Sequence, residues 1–453
     1  MTRRTTRRDF LKTSAAASAA AAFWISDAPV LAQRTTPMQK LNFACIGVGG
    51  KGGSDTDHVA SFGNIVGLCD VDEKNLKRKA LRYKDAKTFS DYREMLDALG
   101  DKIDAITCST PDHSHAPACV RAIRMGKHVY CQKPLTWSAW EARRMRELAA
   151  EHGVCTQMGN QGTTLSKLRE AVEIIKTGGL GEVREVHVWT NRPIWPQGIG
   201  RPTQSMPVPP TLHWNLFLGP APERPYANVY HPFKWRGWID FGTGALGDMA
   251  CHTANMPVMA LDLFDPEWVE AQFDEKDSPG FLQGETYPKW SIIKFHFPAR
   301  GNFPACDLIW YDGGKKVDQK LLYGEKRTNS GCLVIGSKGS LYSPSDYGKD
   351  YVLLPKDRFK DYKPPKPFLP RASEEGDRGQ KREWIEAIQA GDPSHAMANF
   401  SYAGRLTETI LLGNLALHAR KRIQWNAAEC RASNAPEVEK YLRRPYRKGF
   451  EVT

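Results

Sequence analysis

The sequence lacks the features of three special classes of protein. No apolar run approaches the ~20 residues of a membrane-spanning helix, and the alanine-rich stretch from Ala15 to Ile25 is well short of that length. There are no internal repeats, and low-complexity sequence is confined to that stretch, which excludes a solenoid. Lys and Arg are scattered without a run of five or six, so the formal charge of +12 indicates a solvated basic surface and not a nucleic-acid groove.

The ten cysteines lack the spacing of a metal or redox motif. No Cys-x-x-Cys pair occurs, and no histidines follow at zinc spacing. Cys45, Cys69, Cys108 and Cys131 lie in or at the end of apolar runs. We interpret them as small buried hydrophobic residues, although an oxidising compartment would permit disulfides.

The first residues have the order of features typical of an export signal. Arg7 and Arg8 precede Phe10-Leu11-Lys12, the alanine-rich run and a small-residue site before Gln33. This is the twin-arginine pattern, so we expect residues 1–32 to be a removable signal peptide and the protein to be exported to the periplasm. The twin-arginine machinery is then a partner, and it carries folded proteins, so a cofactor can be loaded before export.

Two different patterns of predicted secondary structure follow the signal. Up to about residue 161, strand-like runs such as "NIVGLCDV" alternate with helical ones such as "DYREMLDALG", which predicts βαβ units and a doubly wound parallel sheet. Beyond it, runs such as "WSIIKFHFP" and "ACDLIWYDG" follow one another without regular helices between them. We expect an α/β protein with a Rossmann domain at 39–161 and an α+β domain at 162–453, whose large open sheet is mostly antiparallel. A Pro- and Trp-rich insertion at 193–238 has the length of a functional loop.

A glycine motif indicates a dinucleotide site in the first domain. Gly47, Gly49 and Gly52 form a G-x-G-x-x-G pattern directly after an apolar strand, and Asp70 ends the next strand. The glycines let the backbone approach a pyrophosphate at a helix N-terminus, and the carboxylate accepts from the adenosine ribose. Asp70 favours NAD over NADP, because a carboxylate repels a 2'-phosphate. The alternative is a glycine-rich turn without a ligand.

The stretch "TPDHSHAPACVRAIRMGKHVYCQKPLT" at residues 110–136 carries a family resemblance, together with "LGDMACH" at 246–252 and "IGSKGSL" at 335–341. These motifs and the glycine motif resemble the glucose-fructose oxidoreductase and inositol dehydrogenase (Gfo/Idh/MocA) family over nearly the whole chain after the signal. The resemblance implies that Lys133 lies beside nicotinamide and substrate, where a cation can stabilise a forming alkoxide. Gln132 departs from the family, which usually has glutamate at this position.

Asp248 and His252 match the family's acid/base pair, and their i, i+4 spacing puts both on one face of a helix. The resemblance implies that His252 accepts the substrate's hydroxyl proton while Asp248 orients the imidazole. It also implies that Thr110, Pro111 and His115 lie near the cofactor. The alternative for the pair is a buried histidine capped by an aspartate.

Further candidates come from the domain junction and the insertion. Asn160 and Gln161 are expected to contact cofactor or substrate. Aromatic, histidine and arginine side chains suit a carbohydrate, and the insertion supplies His213, Tyr230, His231, Arg236 and Trp238. A metal site at Asp112, His113 and His115 is rejected, because two histidines two residues apart in a loop are insufficient.

Three hypotheses about function remain open. The first is an NAD-dependent oxidoreductase acting on a sugar, sugar derivative or polyol with tightly held cofactor, since the periplasm has no soluble NAD pool. The second is a redox-neutral glycoside-cleaving enzyme like the family's NAD-dependent alpha-N-acetylgalactosaminidases, and the third is a non-catalytic sugar-binding relative. The open sheet of the second domain predicts a homodimer or homotetramer, because an exposed sheet face needs cover.

Overall fold

The computed structural model describes residues 40–452, so the predicted signal peptide lies outside the described residues. The strands are β1 Leu41–Ile46, β2 Gly63–Cys69, β3 Lys87–Phe89, β4 Ala105–Cys108, β5 His128–Cys131, β6 Thr156–Met158, β7 Val183–Trp189, β8 Trp268–Gln272, β9 Ile292–Phe297, β10 Cys306–Tyr311, β11 Gly331–Gly336, β12 Gly339–Ser343, β13 Val352–Leu354, β14 Ile423–Asn426 and β15 Arg431–Ala432.

The helices alternate with these strands in the first half and fall into groups in the second. They are α1 Gly50–Val59, α2 Glu73–Ala80, α3 Tyr92–Leu99, α4 His115–Arg124, α5 Ala139–Glu151, α6 Ser166–Lys176, α7 Trp214–Leu218, α8 Gly244–Thr253, α9 Asn255–Leu261, α10 Pro279–Leu282, α11 Gly376–Ala390, α12 Phe400–Ala419 and α13 Glu439–Leu442. Within residues 40–452, none of the helices combines the length and apolarity needed to cross a bilayer.

The first sheet confirms the predicted Rossmann arrangement. Its six strands are all parallel, in the order β3-β2-β1-β4-β5-β6. The strand order reverses between β1 and β4, and in open parallel sheets ligands bind at this switch point, outside the carboxyl ends of the strands. The loops after β1, β2, β4 and β5 are therefore the ones that can build a site.

The second sheet confirms the mostly antiparallel prediction. Its nine strands run in the order β13-β12-β11-β7-β10-β9-β8-β14-β15, and only the β7–β10 pair among them is parallel. The expectation of no regular helices between these strands is wrong, because α8 and α9 lie between β7 and β8. Every residue of both helices is buried, so they lack the amphipathic period that marks a helix in sequence.

Two helices late in the chain return to the first sheet. Trp384 of α11 is fully buried, and its ring centroid lies 6.0 Å from that of Phe43 in β1 and 5.8 Å from that of Tyr130 in β5. Phe400, at the start of α12, donates its N–H to Thr156 of β6 over 2.9 Å. The first sheet is thus covered partly by residues more than 200 positions away in sequence.

The insertion has a small core of its own, which we call the insertion core. Its buried side chains are Phe217, Leu218, Ala221, Ala227, Tyr230, Trp235 and Trp238, and they pack with Phe241 just beyond the insertion. The rings meet edge to face, as between Tyr230 and Trp238 at 4.7 Å, which is the arrangement that aromatic quadrupoles favour. The insertion is therefore a packed wall beside the first sheet and not a loose loop.

Candidate active site

A cavity of about 610 Å³ lies at the switch point of the first sheet. The loops after β1, β2, β4 and β5 form one wall, with Gly47, Asp70, Thr110 and Lys133 among their residues. Part of the insertion, including Arg236, forms the opposite wall. The predicted cofactor motif and part of the predicted catalytic set therefore share one cleft.

The glycine loop needs glycine for steric reasons. Gly47 has a φ of +75°, and a Cβ there would lie 2.7 Å from the carbonyl oxygen of Ser109. A Cβ on Gly52 would lie 1.7 Å from the oxygen of Gly47, so only glycine lets helix α1 pack this closely on the turn. The loop leads directly into α1 at Gly50, where free N–H groups and the helix dipole favour a pyrophosphate. These features fit NAD.

Asp70 fastens the glycine loop to the end of β2. Its Oδ2 accepts the N–H groups of Val48 and Gly49 over 2.9 and 3.0 Å, and its Oδ1 accepts that of Asp72 over 2.9 Å. Burial raises the pKa of Asp70 even though these bonds oppose it. Its carboxylate lies on the cavity wall, within the region where the ribose of a dinucleotide binds in this fold.

Lys133 and Asp248 meet across the two domains. The Lys133 Nζ donates to Asp248 Oδ1 over 3.0 Å and to the Asp248 backbone oxygen over 2.7 Å. Arg236 adds a contact of 3.3 Å from its Nε to the same Oδ1. Burial alone would raise the pKa of Asp248, but Lys133 and Arg236 outweigh it and hold the pKa below its usual range. The carboxylate is thus charged and anchors both cations.

His252 is held by Asn160 and not by Asp248, which corrects the expected role of Asp248. The His252 Nδ1 lies 2.8 Å from Asn160 Oδ1, and the Asn160 amide group donates to the oxygen of Cys251 over 2.6 Å. Because this second bond fixes which end of the amide faces the ring, Nδ1 is the nitrogen that carries hydrogen. Lys133 and Arg236 both contact Oδ1 of Asp248, and within the described residues no hydrogen bond joins the Asp248 carboxylate to the imidazole.

The other imidazole nitrogen is left as an acceptor. The Nε2 of His252 is buried and has no hydrogen-bond partner within the described part of the chain. Burial first, and then the charge of Lys133, lower the pKa of His252 well below its ordinary value. The ring of Tyr347 meets the imidazole edge-on at a centroid distance of 4.7 Å and covers it. His252 is therefore a neutral base beneath a tyrosine.

Other predicted residues divide between the cleft and the packing behind it. Thr110 and Pro111 line the cavity. His115 is buried behind them, with Nε2 at 2.9 Å from the oxygen of Thr110 and Nδ1 at 2.9 Å from that of Pro134, so it joins the loop after β4 to the loop that carries Lys133. Gln161 follows Asn160 in a short 3-10 turn, and its side-chain oxygen is buried without a partner among residues 40–452.

The predicted carbohydrate residues are only partly brought together. Arg236 and His231 line the cavity, and Arg236 stacks over Trp235 at 4.2 Å. Tyr230 and Trp238 are buried in the insertion core, because the same aromatic composition serves packing as well as recognition. His213 stands at the start of α7 with its Nε2 3.3 Å from Glu73 and does not line the cavity.

Gln132 takes part in a buried charge network behind the glycine loop. Its Nε2 donates to Asp55 Oδ2 over 2.8 Å. Lys381 of α11, also buried, contacts Asp55 Oδ1 at 2.6 Å, and Lys51 pairs with the same carboxylate. Burial would raise the pKa of Asp55, but the two lysines lower it to about 2. An amide, and not a carboxylate, is the group that can donate to Asp55 from position 132.

Several features of the site and of the core behind it were not predicted from the sequence. Tyr347 belongs to an irregular segment after β12 and reaches His252 only through the fold. Asp112 lines the cavity, and burial raises its pKa to about 6 although Thr243 donates to it. The thiols of Cys108, Cys119 and Cys131 lie within 4.8 Å of one another in the buried core; the sequence showed strand cysteines but not this cluster.

Comparison with known families agrees with this architecture. Residues 41–160 match the model of an oxidoreductase family with an NAD-binding Rossmann fold, and residues 183–280 match the same family's C-terminal alpha/beta domain. A model of the twin-arginine translocation signal sequence matches residues 2–24 and indicates export. The chain thus combines an export signal with the two domains of an NAD-binding oxidoreductase family. It belongs to the Gfo/Idh/MocA family, as its motifs predicted.

Curated relatives match this chain over part of their length. An uncharacterized oxidoreductase of Streptococcus pneumoniae is 28% identical over 242 residues, 52% of this chain and 61% of its own. A 2,7-anhydro-N-acetylneuraminate hydratase of Escherichia coli is 26% identical over 158 residues, 34% of this chain and 41% of its own. An inositol 2-dehydrogenase of Rubrobacter xylanophilus is 28% identical over 118 residues, 25% of this chain and 33% of its own. The chain therefore spans less than two thirds of each of these relatives.

Solved structures share most of this fold. The WlbA dehydrogenase from Bordetella pertussis, in complex with NADH and UDP-GlcNAcA, has a TM-score of 0.61 at 16% identity and covers 86% of this chain and 99% of its own. An aldose-aldose oxidoreductase from Caulobacter crescentus, complexed with glycerol, has a TM-score of 0.56 at 19% identity and covers 85% of this chain and 100% of its own. At these identities the likeness shows the fold.

Proposed function

We propose that this protein oxidises or reduces a hydroxyl-bearing carbon of a sugar, a sugar derivative or a polyol with NAD, and that Lys133, Asp248 and His252 carry the reaction. The observation that carries the proposal is the contact of Lys133 with Asp248 at the cleft. This contact joins the ammonium group of Lys133, from the cofactor domain, to the charged carboxylate of Asp248, from the second domain. The neutral His252 follows four residues after Asp248 on the same helix.

Each side chain has a defined task. NAD, when bound, supplies the hydride chemistry. Lys133 donates a hydrogen bond to the substrate oxygen and stabilises the negative charge that develops there. Asp248 keeps the ammonium group of Lys133 in place, and His252 accepts the hydroxyl proton at Nε2. Tyr347 has to turn aside to admit the hydroxyl, because its ring covers the imidazole.

The proposed substrate class follows from the cleft and from the relatives. The insertion offers Arg236, His231 and Trp235 to a polar molecule with apolar C–H faces, which is the chemistry of a sugar ring. Relatives and structural neighbours include an inositol dehydrogenase and an aldose-aldose oxidoreductase. We place the protein in the periplasm, where the cofactor has to stay bound and be restored within each cycle. Assembly into a dimer or tetramer stays a prediction.

The test is turnover by the purified protein with panels of sugars and polyols, supplied singly and in donor–acceptor pairs. Replacing His252 with alanine should lower kcat by about 10²- to 10⁴-fold, the usual contribution of a general base, while NAD binding is retained. His395→Ala is the control, because that histidine is exposed and does not line the cavity. Equal activity of His252→Ala and wild type would refute the assignment.

A redox-neutral enzyme is the second candidate, favoured by the relative named as a 2,7-anhydro-N-acetylneuraminate hydratase. Oxidation of a ring hydroxyl acidifies the neighbouring C–H bond, so elimination or hydrolysis can follow before the carbon is reduced again. The same Lys133, Asp248 and His252 serve both candidates. Product formation from a single glycoside without a net change in NADH absorbance identifies this candidate, whereas a requirement for a second sugar identifies the first.

A further inference from the structure

Residues 444–452, which we call the strap segment, cross from the second domain to the first. At one end, the buried guanidinium of Arg444 donates to the backbone oxygen of Asp240 in the second domain over 3.3 Å. Arg447 donates to the backbone oxygens of Asn215 and Gly219, each over 3.1 Å. At the other end Val452 is fully buried and its oxygen accepts from Arg124 of α4 over 3.4 Å. The strap segment is therefore fixed on both sides of the cleft.

Phe450 is the side chain of the strap segment that reaches the cavity. It is 6% exposed and borders the cavity beside Tyr92. The guanidinium of Arg93, at the start of α3, lies 4.2 Å over its ring and also donates to the oxygen of Gly449 over 3.3 Å. Gly449 has a φ of +86°, and this turn directs the chain so that Phe450 enters between α3 and the cleft.

The sheet order identifies which end of the cleft Phe450 borders. Lys133 follows β5, whereas Tyr92 follows β3, and these strands are four places apart in the order β3-β2-β1-β4-β5. At ~4.8 Å per strand the two ends lie roughly 19 Å apart. Asp70 after β2 marks the ribose of the adenosine half, so Phe450 belongs to the adenosine end and Lys133 to the nicotinamide end.

The wall around Phe450 suits a flat, aromatic base. Val71 follows β2 and Tyr92 follows β3, and both line the cavity together with Phe450. These three side chains offer apolar and aromatic surface of the kind on which bases stack. The guanidinium of Arg93 over one face of Phe450 fixes the ring, so little rotational freedom is lost when a base packs against it.

We propose that the strap segment is part of the cofactor site, with Phe450 forming a wall of the adenine pocket and slowing the release of NAD. Since Arg444 and Arg447 tie it to the second domain, the strap segment couples retention of the adenosine half to closure of the two domains. This inference rests on NAD binding by the domain and is independent of which substrate is turned over.

The test compares the two halves of the cofactor as separate ligands. Phe450→Ala should weaken binding of ADP-ribose and speed release of NADH by about 10- to 100-fold, the range of base–aromatic stacking. Binding of nicotinamide mononucleotide should stay unchanged. Binding is measured by calorimetry, and NADH release by the loss of its fluorescence on dilution. Phe450→Tyr should restore affinity, and Phe368→Ala, on an exposed phenylalanine, is the matched control.

A second variant tests the inference in case Phe450→Ala does not fold. Arg447→Ala leaves every residue that borders the cavity in place and removes one anchor of the strap segment, so it should also speed NADH release. ADP-ribose binding equal to wild type in Phe450→Ala, or an equal loss for both half-ligands, overturns the inference. Absence of sugar or polyol turnover by the wild-type protein, together with the expected loss of ADP-ribose binding in Phe450→Ala, would instead count against the proposed function alone.

Discussion

Replacing Gln132 with glutamate, the residue usual in the family, should destabilise this protein. The Gln132 amide donates to Asp55 over 2.8 Å, and Lys381 and Lys51 keep Asp55 charged by lowering its pKa to about 2 against the effect of burial. Two carboxylates ~2.8 Å apart repel by about 6 kcal/mol at an effective dielectric constant of ~20. The charge-assisted hydrogen bond, worth roughly 1.5–3 kcal/mol, is lost as well.

Protonation limits this cost. Keeping the introduced carboxyl, with an unfolded pKa of ~4.3, protonated at pH 7 costs about 4 kcal/mol, and in that form it can donate to Asp55 as the amide does. Its folded pKa is raised, so the penalty is absent below the unfolded pKa and grows as the pH rises. We expect Gln132→Glu to lower the free energy of unfolding by about 4 kcal/mol at pH 7 and by about 1 kcal/mol at pH 5.

Urea unfolding of wild type and variant at both pH values, followed by circular dichroism, measures these differences. Asp55→Asn is the second corner of a double-mutant cycle. In the Asp55→Asn background, Gln132→Glu should cost less than about 1 kcal/mol at pH 7, because the facing charge is gone. A pH-independent loss, or the same loss with and without Asp55, would refute the reasoning.

The remaining predictions concern the imidazole, its cover and the glycine loop. Asn160→Asp puts a charge opposite Nδ1 and should raise the pKa of His252, moving the acid limb of kcat/KM for oxidation upward by about 1–2 pH units; an unmoved limb contradicts the assigned base. Tyr347→Ala uncovers the imidazole of His252, so diethyl pyrocarbonate should modify His252 at least several-fold faster, as measured by peptide mapping. Tyr347→Phe keeps the aromatic ring at position 347 and should be modified at the wild-type rate. Gly52→Ala places a methyl group against Gly47 and should weaken NADH binding in fluorescence titration by more than tenfold, or unfold the domain; wild-type affinity would show that the loop adapts.

The sequence could predict those parts of the fold whose residues form a pattern within one short stretch of the chain. The Gly47-x-Gly49-x-x-Gly52 turn and the alternating strands of the first sheet are read within windows of a few residues. The bond between Asn160 and His252 spans 92 residues, and that between Gln132 and Asp55 spans 77. Neither leaves a periodic trace, because the partners are brought together only by packing.

The same limit explains the errors in the insertion. Tyr230 and Trp238 have the composition of a sugar platform, yet they are buried against each other at 4.7 Å. A Tyr–Trp pair packs equally well on a sugar face or on another ring, so its role is decided by whether a third element covers it. Arg236, predicted on the same composition, lines the cavity and contacts Asp248, and its role in substrate binding stays a prediction.

The return of α11 and α12 to the first sheet has a consequence for how the protein is made. Domains on a ribosome usually fold as they emerge, N-terminal domain first. Here Asp55 of α1 can form its buried ion pair only after Lys381 has been translated. Thr156 of β6 can accept the N–H of Phe400 only after that residue has been added as well. The nucleotide-binding domain can thus complete its fold only after most of the second domain has been synthesised. An export route that carries folded proteins lets this happen before the chain crosses the membrane.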